Sequence, residues 1–223
     1  MKRVLFVSLL VLGALLLCNS NPVHAVPIYL VGVHSPNNQA SVEFAYTPSS
    51  GLLEIDITNT SVQWDPRITA FAFNVPAAVT GVGSFVGETG WNYSISLNRI
   101  STPGQYGMFD LVALTGPNFN GGSPNSGIPR LQTFSFDIYL SGTNLDTLTE
   151  ASFLDLLSYD RPRPPIEDPQ YFIARFQRTG AYGLGSDVAI PGNPVPEPAT
   201  MLLLGTGLIG LAAFGRKRFV KGA

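Results

Sequence analysis

Apolar and polar side chains alternate strictly along two neighbouring segments near the start of the chain. In "ASVEFAYTP" the apolar residues Val42, Phe44 and Tyr46 alternate with polar or small ones, and "LLEIDITN" repeats the pattern with Glu54 and Asp56 on its polar side. A period of two puts all apolar side chains on one face of an extended strand. The turn-forming "SSG" between the segments therefore predicts a β-hairpin with one buried and one solvated face.

Six further segments have the composition of strands, and Gly, Pro, Asn and Ser cluster between them. These segments are "RITAFAFNVP", "WNYSISLN", "GMFDLVAL", "LQTFSFDIYL", "YFIARFQ" and "SDVAIP". The longest break, residues 116–129, is typical of a long surface loop. Eight or so short strands with half-polar faces predict an all-β fold, an antiparallel β-sandwich of the jelly-roll type in one domain of residues 26–190.

One short helix is expected to interrupt the strands. Residues 147–150 read Thr-Leu-Thr-Glu, which fits a capping box, and "LTEASFLDLLS" then places Phe153, Leu157 and two more leucines near one face. The proline-rich residues 161–169 follow as a stiff connector.

The first 25 residues have the three parts of a secretory signal peptide. Two basic residues precede a long apolar stretch, and a small residue, Ala25, ends a polar exit segment. Cleavage by signal peptidase is expected between Ala25 and Val26. An alternative is a lipoprotein signal that uses Cys18, but Leu17 before it is larger than that chemistry favours.

A second apolar segment, residues 199–215, precedes a basic cluster of Arg216, Lys217 and Arg218. As a helix it is about 25 Å long, close to the ~30 Å of the hydrocarbon core once the basic heads reach outward. It has no polar face to solvate a core helix, so we expect a single transmembrane helix with residues 216–223 as a basic cytoplasmic tail. Its "GTGLIG" matches a dinucleotide fingerprint in letters but lacks the strand and the acid that such a site needs.

A proline-rich linker, residues 191–198, lies immediately before this helix. Pro196 and Pro198 hold the chain extended around Glu197 and keep it out of both the domain and the helix. Backbone in that state is accessible to a processing enzyme.

The linker, the short Gly/Leu/Ala helix and the Arg216-Lys217-Arg218 cluster together resemble the PEP-CTERM sorting signal of biofilm-forming Gram-negative bacteria. The resemblance implies recognition by an exosortase, an integral-membrane cysteine protease-transpeptidase, and cleavage near Pro196–Pro198. It also implies an inner-membrane precursor and release to the cell surface or an extracellular polysaccharide matrix. The same segment is described as a C-terminal domain of ice-binding proteins, but the body has no regular Thr-x-Thr arrays, so ice binding is not expected of it.

A weaker resemblance concerns the body. The order of "FDIYLSGT", "LTEASFL" and "FIARFQ" is similar to the cohesin-like β-sandwich domains that are common in front of PEP-CTERM tails. This resemblance implies a binding or scaffolding fold of the sandwich type.

Charge and cysteine content exclude several classes of function. Residues 26–194 contain seven arginines, no lysine and 14 carboxylates, a net charge of about −7, which disfavours nucleic-acid binding. The only cysteine, Cys18, is in the signal segment, so the mature chain has no thiol for a disulfide, a metal site or a nucleophile.

Few residues are suited to catalysis. His34 is the only histidine after signal removal and lies in a loop-like segment, and no serine has a G-x-S-x-G context. Two carboxylates facing a cleft could hydrolyse glycosides, but the strand acids are already explained as the solvent side of half-buried strands. They are Glu54, Asp56, Asp110 and Asp137. Calcium binding by such acids stays open, although no EF-hand-type loop is present.

Aromatic residues could stack on sugar rings if they share one exposed face. Trp64 and Phe119 are the expected exposed aromatics, whereas Trp91 and Tyr93 are better explained by core packing, and Tyr106 belongs to the same set of aromatics.

We therefore expect an exported, non-enzymatic surface or extracellular-matrix protein with no catalytic residues, no metal and no cofactor. Its expected partners are signal peptidase, an exosortase, the membrane through residues 199–215, and exopolysaccharide. Two alternatives stay open: a secreted carbohydrate-active enzyme with a carboxylate pair, and a single-pass membrane protein whose tail is never cleaved.

Overall fold

Ten strands form one antiparallel sheet in the computed structural model, which describes residues 27–102, 104–159 and 168–192. The strands are β1 (Ile28–Gly32), β2 (Gln39–Thr47), β3 (Leu52–Asn59), β4 (Arg67–Phe73), β5 (Val79–Val86), β6 (Asn92–Ser101), β7 (Met108–Leu114), β8 (Thr133–Gly142), β9 (Phe172–Thr179) and β10 (Gly185–Pro191). Their order across the sheet is β5-β8-β3-β2-β1-β10-β9-β4-β7-β6. The prediction of an all-β antiparallel fold is confirmed.

The sheet folds over so that its two halves face each other across a phenylalanine-rich core. The ring of Phe44 on β2 lies 5.8 Å from Phe73 on β4 and 5.9 Å from Phe172 on β9, although β2 pairs with neither strand. The edge strands β5 and β6 also meet, with the rings of Phe85 and Tyr93 5.2 Å apart. The expected sandwich is thus one continuous, nearly closed sheet, because β1 and β10 pair and join the two layers.

Strands β4 and β7 are buried on both faces. Their inner faces contribute to the main core, and their outer faces belong to a second apolar cluster with Tyr106, Phe119 and Ile173. The loop that follows β7 folds back over this outer face, and Ile128 forms an isolated antiparallel bridge with Ile68 on β4. The expectation that residues 116–129 form a purely surface loop is wrong, because both Phe119 and Ile128 are buried.

The helix is shorter than its sequence pattern predicts. Within this segment the described α-helix, α1, spans Ala151–Leu154 and is preceded by a 3-10 turn at Leu145–Thr147. The predicted capping box does not form: Glu150 makes no capping bond, and its Oε1 atom accepts a hydrogen bond from the Tyr46 backbone N–H at 3.1 Å. Phe153 is buried as expected, whereas Leu157 lies beyond the helix and is exposed.

Candidate functional site

Four loops meet at one end of the sheet, which we call the loop end. The start of β2 pairs with the end of β3, and the end of β3 pairs with the start of β8. In the other half, the end of β9 pairs with the starts of β4 and β10. The register therefore gathers at the loop end residues 33–38, 60–66, 129–132 and 180–184.

Residues 60–66 are fixed by a buried asparagine at the end of β3. The Asn59 side-chain amide donates to the carbonyl oxygens of Pro66 at 2.8 Å and Ile128 at 3.0 Å, and its Oδ1 accepts from the Ser61 N–H. The Arg130 guanidinium donates to carbonyl oxygens of the same loop. Because a buried amide is stabilised when its hydrogen bonds are made, Asn59 fixes both ends of the loop.

The tip of this loop presents a tryptophan in a strained backbone conformation. Trp64 has φ +61° and is 51% exposed. Three of the four non-glycine residues with positive φ in the described ranges are at or beside the loop end, the others being Leu131 and Arg178. A positive φ is unfavourable for such side chains, and strain of this kind concentrates at binding sites.

Trp64 lines a shallow groove of about 260 Å³ together with the β9–β10 hairpin. The hairpin contributes Tyr182, which is 89% exposed, and Arg178 lies at its base. Neither Trp64 nor Tyr182 contacts another aromatic ring within the described part of the chain. We call this the Trp64–Tyr182 groove.

The groove carries one carboxylate and one guanidinium with different surroundings. Asp65 accepts two hydrogen bonds from Arg67, at 2.8 and 3.2 Å, which neutralises it locally. Arg178 makes no hydrogen bond or ion pair with the residues that the structure describes. Sequence reasoning identified Trp64 but missed Tyr182 and Arg178, whose signal was the glycine-rich "RTGAYGLGS" between two strands.

The strand acids lie on a different surface, the outer face of β2, β3 and β8. Glu43 pairs with Asp56, and Glu54 pairs with Asp137, so two like-charged pairs stand next to each other. They line an open depression of about 370 Å³. We call this surface the acidic face.

The fourth candidate acid, Asp110, is buried on β7. Its Oδ2 accepts the Val75 N–H at 3.1 Å, and its own N–H donates to the Asn74 side chain. Asp110 therefore ties β7 to the segment that follows β4, which is a structural role for a buried carboxylate.

A second buried carboxylate, Asp187, was not among the sequence candidates. It accepts hydrogen bonds from the backbone N–H groups of His34 and Ser35. The His34 imidazole lies on the surface, with Nδ1 3.4 Å from Asp187 Oδ1. Burial lowers the pKa of the neighbouring Arg175, and the negative charge of Asp187 partly offsets this.

The remaining aromatic candidates divide between surface and core. Trp91 is buried and its Nε1–H donates to the Ser126 carbonyl at 2.8 Å, as a core tryptophan should. Phe119 was expected to be exposed, but only 2% of it is accessible, because its loop covers the outer face of β4 and β7. Tyr106 is buried in the same outer cluster, while Tyr93, expected in the core, is partly exposed beside Phe85.

No group of three or more His, Cys, Asp or Glu side chains suited to a metal ion occurs within the described residues. The acidic face spreads its carboxylates across three strands of an open sheet rather than converging them on one point.

Comparison with known protein families identifies the tail. A family described as the PEP-CTERM protein-sorting motif matches residues 194–218. The chain carries a PEP-CTERM sorting motif. The match contains Pro196, Glu197 and Pro198, the apolar segment and Arg216, Lys217 and Arg218, and it does not extend into the ten-stranded body.

PEP-CTERM motifs are recognised by exosortases, and the motif therefore supports an exosortase as a partner of this chain. It is typical of exported or surface proteins of Gram-negative bacteria that are anchored in the membrane before processing. Neither a curated protein nor a solved structure matches the chain, so the cohesin-like resemblance of the body stays a prediction.

The sorting motif itself, the predicted signal peptide and its Ala25–Val26 cleavage site lie outside the residues that the structure describes. So do the predicted transmembrane helix of residues 199–215 and the basic tail. Within the described ranges, no helix has the length and hydrophobicity required to cross a membrane.

Proposed function

We propose that this PEP-CTERM protein is a non-enzymatic component of the cell surface or extracellular matrix. Signal peptidase releases its N terminus after Ala25, residues 199–215 hold it in the inner membrane, and an exosortase cleaves near Pro196–Pro198. The match of residues 194–218 to the sorting motif is the observation that carries this proposal.

The arrangement of the carboxylates supports a binding or structural role for the body. Asp110 and Asp187 are buried and accept hydrogen bonds from backbone amides, which is a framework role. The acids of the acidic face stand on an open sheet surface, where water solvates them. No specific observation favours the alternative of a carbohydrate-active enzyme with a carboxylate pair.

The processing step is tested by substituting both prolines of the motif in a Gram-negative host that has an exosortase. We expect wild-type protein to be released with a shortened C terminus, and the Pro196→Ala/Pro198→Ala variant to accumulate in the membrane at full length. Pro48→Ala, in the turn between β2 and β3, is the matched control and should be processed normally. Intact mass of the released and membrane fractions gives both termini.

Three results would contradict the proposal in different ways. Unchanged release of the double variant would show that release does not depend on recognition of the two prolines by an exosortase. A wild-type protein that keeps its tail would be a permanent single-pass membrane protein. Polysaccharide hydrolysis by the released protein that is lost in Glu54→Gln or Asp137→Asn would make it an enzyme.

A further inference from the structure

We propose that the Trp64–Tyr182 groove binds a carboxylate-bearing polysaccharide. This inference rests on the proposed surface or matrix role and adds to it the ligand class and the residues that hold the ligand. Trp64 and Tyr182 supply the stacking surfaces, and Arg178 supplies the charged contact.

The aromatic rings of the groove have free faces. Trp64 and Tyr182 are both exposed and neither packs on another ring within the described ranges. The C–H-bearing faces of sugar rings are apolar, whereas their hydroxyl edges are polar. Flat rings beside polar side chains match both parts of such a ligand.

Both ends of the loop carrying Trp64 are held without a ligand. Asn59 and Arg130 make hydrogen bonds to the backbone of Ser61, Val62 and Pro66, and between these anchors Trp64 has φ +61°. A ligand therefore does not have to order this loop, which lowers the entropic cost of binding. An exposed tryptophan held in an unfavourable conformation has no role in the core that would explain it.

The charge of the groove favours an anionic ligand. Asp65 is neutralised by Arg67, so the unpaired charge among the groove residues is the Arg178 guanidinium. Guanidinium groups bind carboxylates through two parallel hydrogen bonds. The carboxylates of the acidic face line a separate depression on β2, β3 and β8 and are not among the groove residues.

The groove lies at one end of the sheet, and the outer ends of β1 and β10 lie at the other. β10 runs away from the loop end, and its seven residues place Pro191 about 20 Å from Gly185. β1 runs toward the loop end, so the chain also enters the body at the far end. The groove therefore lies at the opposite end of the sheet from Ile28 and Pro191.

The size of the groove favours a glycan over a folded partner. A volume of about 260 Å³ is near the lower end for small-ligand sites. Seven residues line the groove, whereas a stable protein interface uses about 20–30 residues on each side. A few sugar units of an extended polysaccharide fit the smaller site.

The test uses the full-length chain in detergent. Oligomers of galacturonic acid are the charged probe, and glucose oligomers of equal length are the neutral probe. The chain has two tryptophans, and Trp91 is buried, so ligand-induced changes in tryptophan fluorescence report on Trp64. We expect the uronate oligomers to bind at least about tenfold more tightly than the neutral ones, and this preference to shrink as salt is raised.

Matched variants separate stacking from charge. Trp64→Ala should weaken binding about tenfold, whereas Trp64→Phe keeps a ring and should retain most of it. Arg178→Gln should abolish the preference for uronate, whereas Arg178→Lys keeps the charge and part of the preference. Because a Trp64 substitution removes the fluorescent reporter, calorimetry measures the affinity of these variants, and thermal unfolding confirms that each variant is folded. Tyr139→Ala, on the acidic face, is the control and should bind as wild type.

Several outcomes overturn the inference. Equal affinity for the neutral oligomers would show that the groove does not recognise a carboxylate. Binding of neither probe would show that the groove does not bind a glycan. A protein partner that is lost with Trp64→Ala and is not displaced by uronate makes the groove a protein interface. All groove variants should still be processed at the sorting motif, so failure of binding with normal processing leaves the proposed function standing.

Discussion

The buried carboxylate of Asp187 on β10 accepts a hydrogen bond from the side-chain amide of Asn38, with 2.9 Å between Oδ2 and Nδ2, across 149 positions of the chain. The same carboxylate accepts the N–H groups of His34, Ser35 and Val188. One side chain thus joins the β1–β2 loop to the strand that closes the two layers of the sheet.

Asp187→Asn should lower the free energy of unfolding by about 2–3 kcal/mol. The substitution replaces one acceptor oxygen by an NH₂ group that faces donors, so buried N–H groups lose their partner. Urea unfolding measures the loss, and Glu88→Gln is the control because Glu88 is an exposed acid in the loop before β6. A loss below about 0.5 kcal/mol would show that the network does not stabilise the fold.

Phe119→Ala should cost about 3 kcal/mol, because its ring fills the second apolar cluster. Tyr182→Ala, the removal of a ring that is almost fully exposed, should change stability by less than about 0.5 kcal/mol. Chemical denaturation of both variants checks the difference. Equal effects would mean that the loop after β7 does not pack on the sheet.

Glu54→Gln should stabilise the protein by about 0.5 kcal/mol at low salt, because Glu54 pairs with Asp137 across β3 and β8. The gain should shrink as salt screens the repulsion. Glu88→Gln, an exposed acid in the loop before β6, is the matched control and should be neutral. Melting temperatures at low and high salt test this, and a destabilised Glu54→Gln would contradict it.

Alkaline titration should divide the tyrosines into two groups. Burial raises the pKa of Tyr106, with a weaker opposing effect of the Gln105 hydrogen bond. Burial also raises the pKa of Tyr46 and Tyr171 above the usual value of about 10. The folded state favours the neutral phenols, so stability is fully present below pH 10 and is lost as the pH rises above it.

Ultraviolet absorbance of phenolate formation checks this prediction. In the native protein, phenolate formation at Tyr46, Tyr106 and Tyr171 should be delayed to a late step that coincides with unfolding. In urea all tyrosines should titrate together near pH 10. A single step in the native protein at that pH would contradict the assignment.

Two strands were missed in the sequence for identifiable reasons. β5 contains two glycines and lies at a sheet edge, so its exposure pattern does not alternate. β1 follows directly on the predicted signal segment and has only five residues. The near-continuous burial of β4 and β7 was readable in "RITAFAF" and "MFDLVAL", since strands covered on both faces have long apolar runs.

The sequence alone determined the antiparallel β class and the sorting motif, because both depend on local order: a period of two along strands, and a fixed succession of prolines, apolar residues and basic residues. Only the tertiary structure decided which aromatics are exposed and which acids are buried. Trp64, Arg178 and Tyr182 become neighbours through strand register, and Phe119 is buried because the loop after β7 folds back over β4, more than 40 residues earlier in the chain. Such contacts join residues distant in sequence, and no local pattern specifies them.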